Sequence, residues 1–265
     1  MAAHVHLTGR RATRVMPGDM AATYYIGTSG WHYPHWQGPF YPPTLPASAW
    51  LEYYTRHFDS VEINSSFYRL PSTATARAWR DTAPPGFRFA IKANRSITHM
   101  RKLRTPRRLR AFLAVARALG NKCGPLLFQL PPHWRCNPAR LAAFLRALPR
   151  GREYAFEFRD RSWHTREVYA LLRRHNAAFC LYQLAGFESP RVLTADFAYI
   201  RLHGPASYAY GGSYSEADLA DWAREIRGWT RLRRVYVYFD NDEAGYAVRN
   251  ALALRRRLGS GHARD

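Results

Sequence analysis

Eight short runs rich in β-branched and aromatic residues recur along this chain, and helical patterns separate most of them. The runs are Tyr24–Thr28, Ser60–Asn64, Phe87–Ala93, Leu126–Leu130, Glu153–Phe158, Ala178–Tyr182, Phe197–His203 and Arg234–Asp240. Apolar residues return at helical spacing in Pro46–His57, Thr105–Leu119, Asn137–Leu148, His164–His175, Ser215–Trp229 and Asp242–Leu258. Two of these have clear starts: Thr105-Pro106 offers a cap and a first-turn proline, and Ser215 precedes acidic first-turn residues up to Asp218. A strand followed by a helix roughly every 30 residues predicts βαβ units and hence a parallel sheet. Leu126–Leu130 and Val235–Phe239 are near-continuous apolar runs, as strands covered on both faces are.

Length then chooses among parallel architectures. A (β/α)8 barrel takes about 250 residues in one domain, and this chain has 265. The expected fold class is α/β, a single (β/α)8 TIM-type barrel over residues 23–258. Its sixth βα unit is weak, because only the irregular Gln183–Asp196 follows the sixth run. A dinucleotide-binding sheet is not expected, since Ile26-Gly27-Thr28-Ser29-Gly30-Trp31 makes a glycine turn without GxGxxG spacing. Residues 1–22 lack periodicity and read as a disordered N-terminal extension, and residues 259–265 as a disordered tail.

Parallel barrels work at the C-terminal ends of their strands, and polar residues collect there in this sequence. The first run leads to Ser29, Trp31 and His32, and the second gives Glu62 and Asn64 on one face. The third gives Lys92, then Thr98 and His99, and the fourth Gln129. Glu157 and Arg159 share a face on the fifth, with Trp163 beyond; Arg201 and His203 share one on the seventh. Tyr208, Tyr210 and Tyr214 surround Gly211-Gly212 in the next loop, and the eighth run ends in Tyr238, Asp240 and Asn241. Together Glu62, Lys92, Glu157, Arg159, Arg201 and His203 make a charge-compensated cluster. It serves either as a structural ion-pair network or as a site with acid–base groups and anion-holding arginines. No HxH or HExxH spacing supports a metal set from Glu62, Glu157, His203 and Asp240, and no P-loop or GxSxG elbow is present, so no metal and no cofactor are expected.

The formal net charge of +21 raises the expectation of an anionic small molecule or nucleic acid as partner. Only Lys92, Lys102 and Lys122 of the 40 basic residues are lysine, and an arginine-rich chain is also what a GC-rich genome writes on solvated helix faces. Cys123, Cys136 and Cys180 show no paired spacing, which fits a reducing cytoplasm. No apolar stretch has the length of a signal peptide core or a membrane span, so neither export nor a membrane partner is expected.

The strand ends resemble a known family. IGTSGWHYPHWQGPFYP (26–42), FDSVEINSSFYRLP (58–71), FRFAIKANRSITH (87–99), GPLLFQLPP (124–132), EFRDRSW (157–163), YIRLHG (199–204) and VYVYFDN (235–241) are similar, in this order, to the YecE-like family, domain of unknown function 72. The resemblance runs from about Tyr24 to Leu258 and implies a TIM-type barrel; it implies no established activity. One departure stands out: the family's sixth strand usually ends in aspartate, where this chain has Leu181-Tyr182-Gln183.

The functional expectation is a metal-independent hydrolase or lyase acting on a phosphate-bearing or nucleic-acid-derived substrate. Lys92, Arg159 and Arg201 are expected to hold the anion, Glu62 or Glu157 to act as base, and His203 to donate a proton. Trp31, Trp163 and Tyr214 are expected to stack a sugar or base, with Ser29, Asn64, Thr98, His99, Gln129 and Asn241 as further substrate contacts. The alternative is a non-catalytic nucleic-acid binder that uses its arginine surface, with the mouth charges purely structural.

Overall fold

The structure, a computed structural model, describes residues 22–104 and 106–259. The expected extension before residue 22, the tail after residue 259 and the Thr105 cap lie outside the described residues. Strand β1 (Thr23–Thr28) leads to α1 (Trp50–His57), β2 (Ser60–Ile63), α2 (Thr73–Thr82), β3 (Arg88–Lys92), α3 (Pro106–Ala118), β4 (Cys123–Leu130) and α4 (Pro138–Ala147). Then come β5 (Tyr154–Phe158), α5 (Arg166–Arg174), β6 (Ala177–Phe179), β7 (Leu181–Leu184), β8 (Phe187–Glu188), β9 (Phe197–Leu202), α6 (Glu216–Gly228), β10 (Arg234–Phe239) and α7 (Tyr246–Leu258). No described helix is long and apolar enough to cross a membrane.

The strands form two sheets, ordered β1-β10-β9-β7-β8 and β2-β3-β4-β5-β6. Their pairings are parallel except for the short β7–β8 hairpin, so the chain is an α/β fold with parallel sheets. The run expected as one sixth strand is two. β6 pairs with β5, β7 pairs with β9, and between them the Cys180 amide donates to the Phe156 carbonyl at 2.8 Å. The neighbours on its two sides belong to different sheets, so this run changes partner half-way along. At the other edges Ser29 and Glu62 form a single parallel bridge. Gly27 permits that approach, because a Cβ there would meet the Ser60 carbonyl oxygen at 2.0 Å. The weak sixth unit is the β8 hairpin, with no helix between β7 and β9 among the described residues.

Helix starts follow the expected chemistry. Asn137 and Thr165 accept from amides of the first turns of α4 and α5, and Ser215 with Asp218 forms a reciprocal capping box on α6. The sequence pattern did not reveal α2. Its segment TATARAWRDT buries only Ala76 fully, so it lacks an apolar stripe, and the Ser72 cap on Thr75 marks its start.

Two apolar clusters hold the fold. The larger joins sheet residues such as Ile63, Ile91, Phe128 and Phe156 to helix residues such as Phe112, Leu141, Trp222 and Leu254. The smaller brings the two sheets together: Ala90, Leu127, Ala155 and Ala178 meet Phe197, Tyr199, Tyr236 and Tyr238. Three alanines on one side thus make room for three tyrosines on the other. Each buried phenol finds a partner, as its desolvation requires: Tyr236 donates to Glu153 at 2.8 Å, Tyr238 lies 2.6 Å from Ser60 Oγ, and Tyr199 donates to Glu62 at 2.6 Å. This polar ladder climbs toward the C-terminal strand ends.

Candidate active site

Period-two alternation sends Tyr199, Arg201 and His203 to one side of β9, and Arg201 is fully buried there. Its Nη2 donates to Glu62 Oε1 at 2.7 Å and to Asp240 Oδ2 at 3.1 Å. Nη1 donates to Glu157 Oε2 at 3.0 Å, and Nε to Glu62 Oε2 at 3.0 Å. Ser29 Oγ also donates to Glu62, and Arg159 Nε to Glu157. Burial alone would raise the Glu157 carboxyl, but Arg159 and Arg201 hold it well below the usual carboxylate range. Burial likewise works against charge on Arg201, and the carboxylates of Glu62, Glu157 and Asp240 overcome it.

His203 Nε2 lies 3.1 Å from Arg159 Nη2 and 3.2 Å from Arg201 Nη1. A guanidinium only donates, so Nε2 must accept and the ring carries its hydrogen on Nδ1. That nitrogen lies 3.0 Å from Asp240 Oδ2, within ion-pair distance. Burial first, then Arg201, pulls the imidazole down to about 4, against the opposing pull of Asp240. The lowered value favours the neutral ring, with Nε2 accepting from the two guanidinium groups.

Lys92 ends β3 just above this cluster and is only 7 % exposed. Among the described residues no carboxylate lies within ion-pair distance of its amine, and its one close partner is the Phe67 ring, 4.4 Å from Nζ. Burial, with Arg201 next, lowers the amine from 10.5 to about 8, although Glu157, Glu62 and Asp240 pull the other way.

Lys92 also lines a cavity of about 520 Å³ at the C-terminal strand ends. Tyr33 and His35 approach it from the β1 loop, Asn64 and Tyr68 from the β2 loop, Tyr208 and Tyr210 from the β9 loop, and Asp240, Asp242 and Glu243 from the β10 loop. Gly204 folds the β9 loop back tightly: its φ is +104°, and a Cβ would meet the Gly211 carbonyl oxygen at 2.1 Å. Tyr210 thereby stands edge-on to His203, ring centroids 5.5 Å apart. Asp242 accepts from Trp36 Nε1 at 2.7 Å and lies 2.9 Å from His35 Nε2. Burial pushes its carboxyl up to about 6 despite both contacts, with Asp240 adding to the rise.

Several expected substrate contacts are turned inward. Arg201 is spent on three carboxylates through all its nitrogens, and Arg159, stacked over Tyr182 at 4.9 Å, uses Nε on Glu157 and Nη2 on His203. Trp31 and Trp163 are core residues, the latter donating to the Trp134 carbonyl, so they offer no ring face for stacking. Tyr214 is also buried, its hydroxyl accepting from the Gly204 amide at 3.1 Å. Thr98 is buried at 2.9 Å from His99 Nδ1, and Asn241 braces the β9 loop through the Gly212 carbonyl. His99 packs edge-on against Phe67, and burial with Lys92 and Arg159 lowers it to about 4. Gln129 stands beside Glu157 in the β4–β5 register, part-buried. Of the expected set, Lys92 and Asn64 line the cavity itself, and the Asn64 amide oxygen has no partner among the described residues. Tyr33 and His35 read as loop packing in the sequence, and Asp242 was not among the expected residues; the polar trio Asp240-Asn241-Asp242 past the last strand was the available signal. Among the described residues no His, Cys, Asp and Glu grouping is arranged to hold a metal.

Residues 25–264 match the family described as "Protein of unknown function DUF72". This chain belongs to the DUF72 family. A crystal structure of a DUF72 protein from Thermotoga maritima superposes with a TM-score of 0.80 at 29 % identity, covering 89 % of this chain and 99 % of that one. A DUF72 protein from Enterococcus faecalis shares the fold at a TM-score of 0.76 and 18 % identity, over 89 % and 96 % of the two chains. The UPF0759 protein YunF of Bacillus subtilis is 27 % identical over 269 residues, 88 % of this chain and 94 % of YunF. The UPF0759 protein YecE of Escherichia coli K12 is 34 % identical over 139 residues, about half of each chain (51 % and 48 %). In this DUF72 chain Gln183 bonds outward to Glu188 on the hairpin, while its carbonyl accepts from the His203 amide at 3.1 Å. Glu62, Glu157 and Asp240 already surround Arg201 without an acid at this position.

Proposed function

We propose that this DUF72 chain is an enzyme of hydrolase or lyase type that works in the cavity at the strand ends on a small, hydroxyl-rich substrate. The observation that carries the reading is Lys92, a buried amine on the cavity wall that no carboxylate neutralises by direct pairing. Buried charges are normally paired, so one left open toward a cavity is a group held for a ligand. Asp242, its carboxyl near 6 and beside His35, exchanges a proton close to neutral pH and serves as general acid or base. Asn64, Asp240 and Glu243 supply acceptors for hydroxyl groups. Three cavity carboxylates, Asp240, Asp242 and Glu243, against one lysine disfavour a polyanion. The substrate class therefore narrows from the phosphate-bearing expectation to a neutral or weakly charged sugar-like compound. The Arg201 cluster acts as the rigid floor. This reading includes a closed eight-stranded barrel, supported by the Ser29–Glu62 bridge on one side and the shared β6–β7 run on the other.

The test is thermal unfolding against aldoses, ketoses, polyols and sugar phosphates, for wild type and Lys92→Met. A ligand at a hundred times its Kd adds about 2.7 kcal/mol, which at this size raises Tm by roughly 5–10 °C. The expected result is such a rise with a hydroxylated compound, absent in Lys92→Met. No rise with any compound, or a rise that survives in the variant, overturns the assignment.

A second reading rests on a separate basic hollow of about 410 Å³, lined by Arg101, Lys102, Arg104, Asn137 and Arg140 around Trp134. Guanidinium groups beside an indole suit single-stranded nucleic acid, with phosphates on the arginines and a base on the ring. If this surface binds a strand, replacing Arg101, Arg104 and Arg140 together by alanine is expected to lower the salt slope of oligonucleotide binding by about 2. An unchanged slope, read by fluorescence anisotropy, removes the reading.

A further inference from the structure

We propose that Lys92 is a nucleophile whose amine condenses with the carbonyl carbon of the substrate, so that the substrate is a hydroxyaldehyde or hydroxyketone held as an imine. The inference deepens the enzyme reading above and rests on it. Residue choice is the first support. Of 40 basic residues only three are lysine, so the chain writes arginine almost wherever charge alone is wanted. Arginine cannot give up its proton at physiological pH, whereas a lysine can be made to do so by burial. The lysine on the cavity wall is the buried one. Lys122 is engaged by the carbonyls of Arg80 and Ala83, and Lys102 is exposed beside Trp134.

The surroundings fit the step. Arg201 and Arg159 occupy Glu62, Glu157 and Asp240, which leaves the Lys92 amine without an ion-pair partner to lock it as ammonium. Its lowered value near 8 leaves roughly three hundredfold more free amine at neutral pH than an ordinary lysine has. The neutral nitrogen adds its lone pair to the carbonyl carbon, and the C=O π pair moves to oxygen, which takes a proton while the nitrogen loses one. Asp242, half-protonated near pH 6, then gives a proton to the departing hydroxyl, which leaves as water while the nitrogen pair closes the C=N bond. The product iminium carries the same charge as the ammonium it replaces. The field of Glu62, Glu157 and Asp240 therefore favours it, and it draws electrons from the adjacent carbon, as a lyase requires.

The test traps the iminium with borohydride, whose hydride adds to the iminium carbon and leaves a stable secondary amine. The full chain is incubated with glycolaldehyde, glyceraldehyde or dihydroxyacetone, reduced and digested, and occupancy at Lys92 and Lys102 is read by mass spectrometry. Labelling at Lys92 is expected to exceed that at Lys102 by about tenfold or more at neutral pH. It is expected to rise between about pH 7 and 9 as the amine loses its proton among Glu62, Glu157, Asp240, Arg201 and His99. Lys92→Arg keeps the charge, is checked for folding by circular dichroism, and is expected to take no label there. Labelling at Lys92 no greater than at Lys102, in a protein that hydroxylated ligands still stabilise through Lys92, overturns the imine and leaves the enzyme reading standing. No preferential label and no stabilisation by any compound overturn both.

Discussion

Replacing Arg201 by methionine is expected to leave the protein unfolded, or nearly so, at neutral pH. The guanidinium is the shared partner of Glu62, Glu157 and Asp240, all buried with it. Removing one member of a buried pair costs about 3–5 kcal/mol, chiefly because the other charge is stranded without water. Here three carboxylates are stranded at once, against a total stability of about 5–15 kcal/mol for a typical domain. Arg159 and Lys92 can compensate part of this, but neither reaches Glu62 within ion-pair distance. Urea unfolding followed by circular dichroism checks the expectation. Adding Glu62→Gln, Glu157→Gln and Asp240→Asn to Arg201→Met is expected to recover much of the loss, since a neutral polar cluster leaves no buried charge alone. A loss below about 1 kcal/mol in the single variant would show that water reaches these carboxylates.

The second large effect is acid sensitivity in two stages. His203 is buried neutral, its value lowered from 6.5 to about 4. As pH falls below 6.5 the unfolded chain takes up a proton at this residue while the folded protein does not. At this residue the unfolded state therefore binds more protons between about pH 6.5 and 4, a contribution of about 3 kcal/mol that is lost across that window; His99, also lowered to about 4, adds to the loss, and Asp242, raised to about 6, opposes it. Below the ordinary carboxyl value of 4.5, Glu157 adds a second loss with the same sign. Its lowered folded value means the unfolded carboxylate protonates first. Chemical denaturation from pH 8 to pH 4 is expected to show the first decline in wild type. In His203→Asn the decline should be shallower by the histidine's share, while the loss below about pH 4.5 stays. Equal slopes for the two proteins would mean that His203 is charged in the folded state.

How far the sequence carried differs between the fold and the site. Strand positions were legible because doubly covered strands leave runs such as Leu126–Leu130 that few other structures tolerate. Helix α2 was not, because its one fully buried residue, Ala76, makes no periodic signal. Face-sharing was legible as well: alternation alone puts Arg201 with His203, and Glu157 with Arg159, and these four meet. What alternation cannot say is which partner each charge finds. Arg201 and Arg159 read as free hands for a substrate, yet the carboxylates take both, and the group left open is Lys92. The cavity roles of Tyr33, His35 and Asp242 were hidden for another reason. They lie in loops, where neither period applies, and a long-range contact such as Trp36 to Asp242 joins residues 206 positions apart.

The hub at Arg201 also constrains the order in which the molecule can come to rest. Glu62 and Glu157 belong to one sheet, while Arg201 and Asp240 come from the other side. On the ribosome Glu62 precedes its guanidinium by 139 residues, a wait on the order of ten seconds at typical synthesis rates. Until β9 emerges, Glu62 in the first sheet lacks the guanidinium that neutralises it, whereas Glu157 already has Arg159 two residues on. Closure around Glu62 is therefore expected to come late, when the arginine arrives, as a consequence of where the charges fall along the chain.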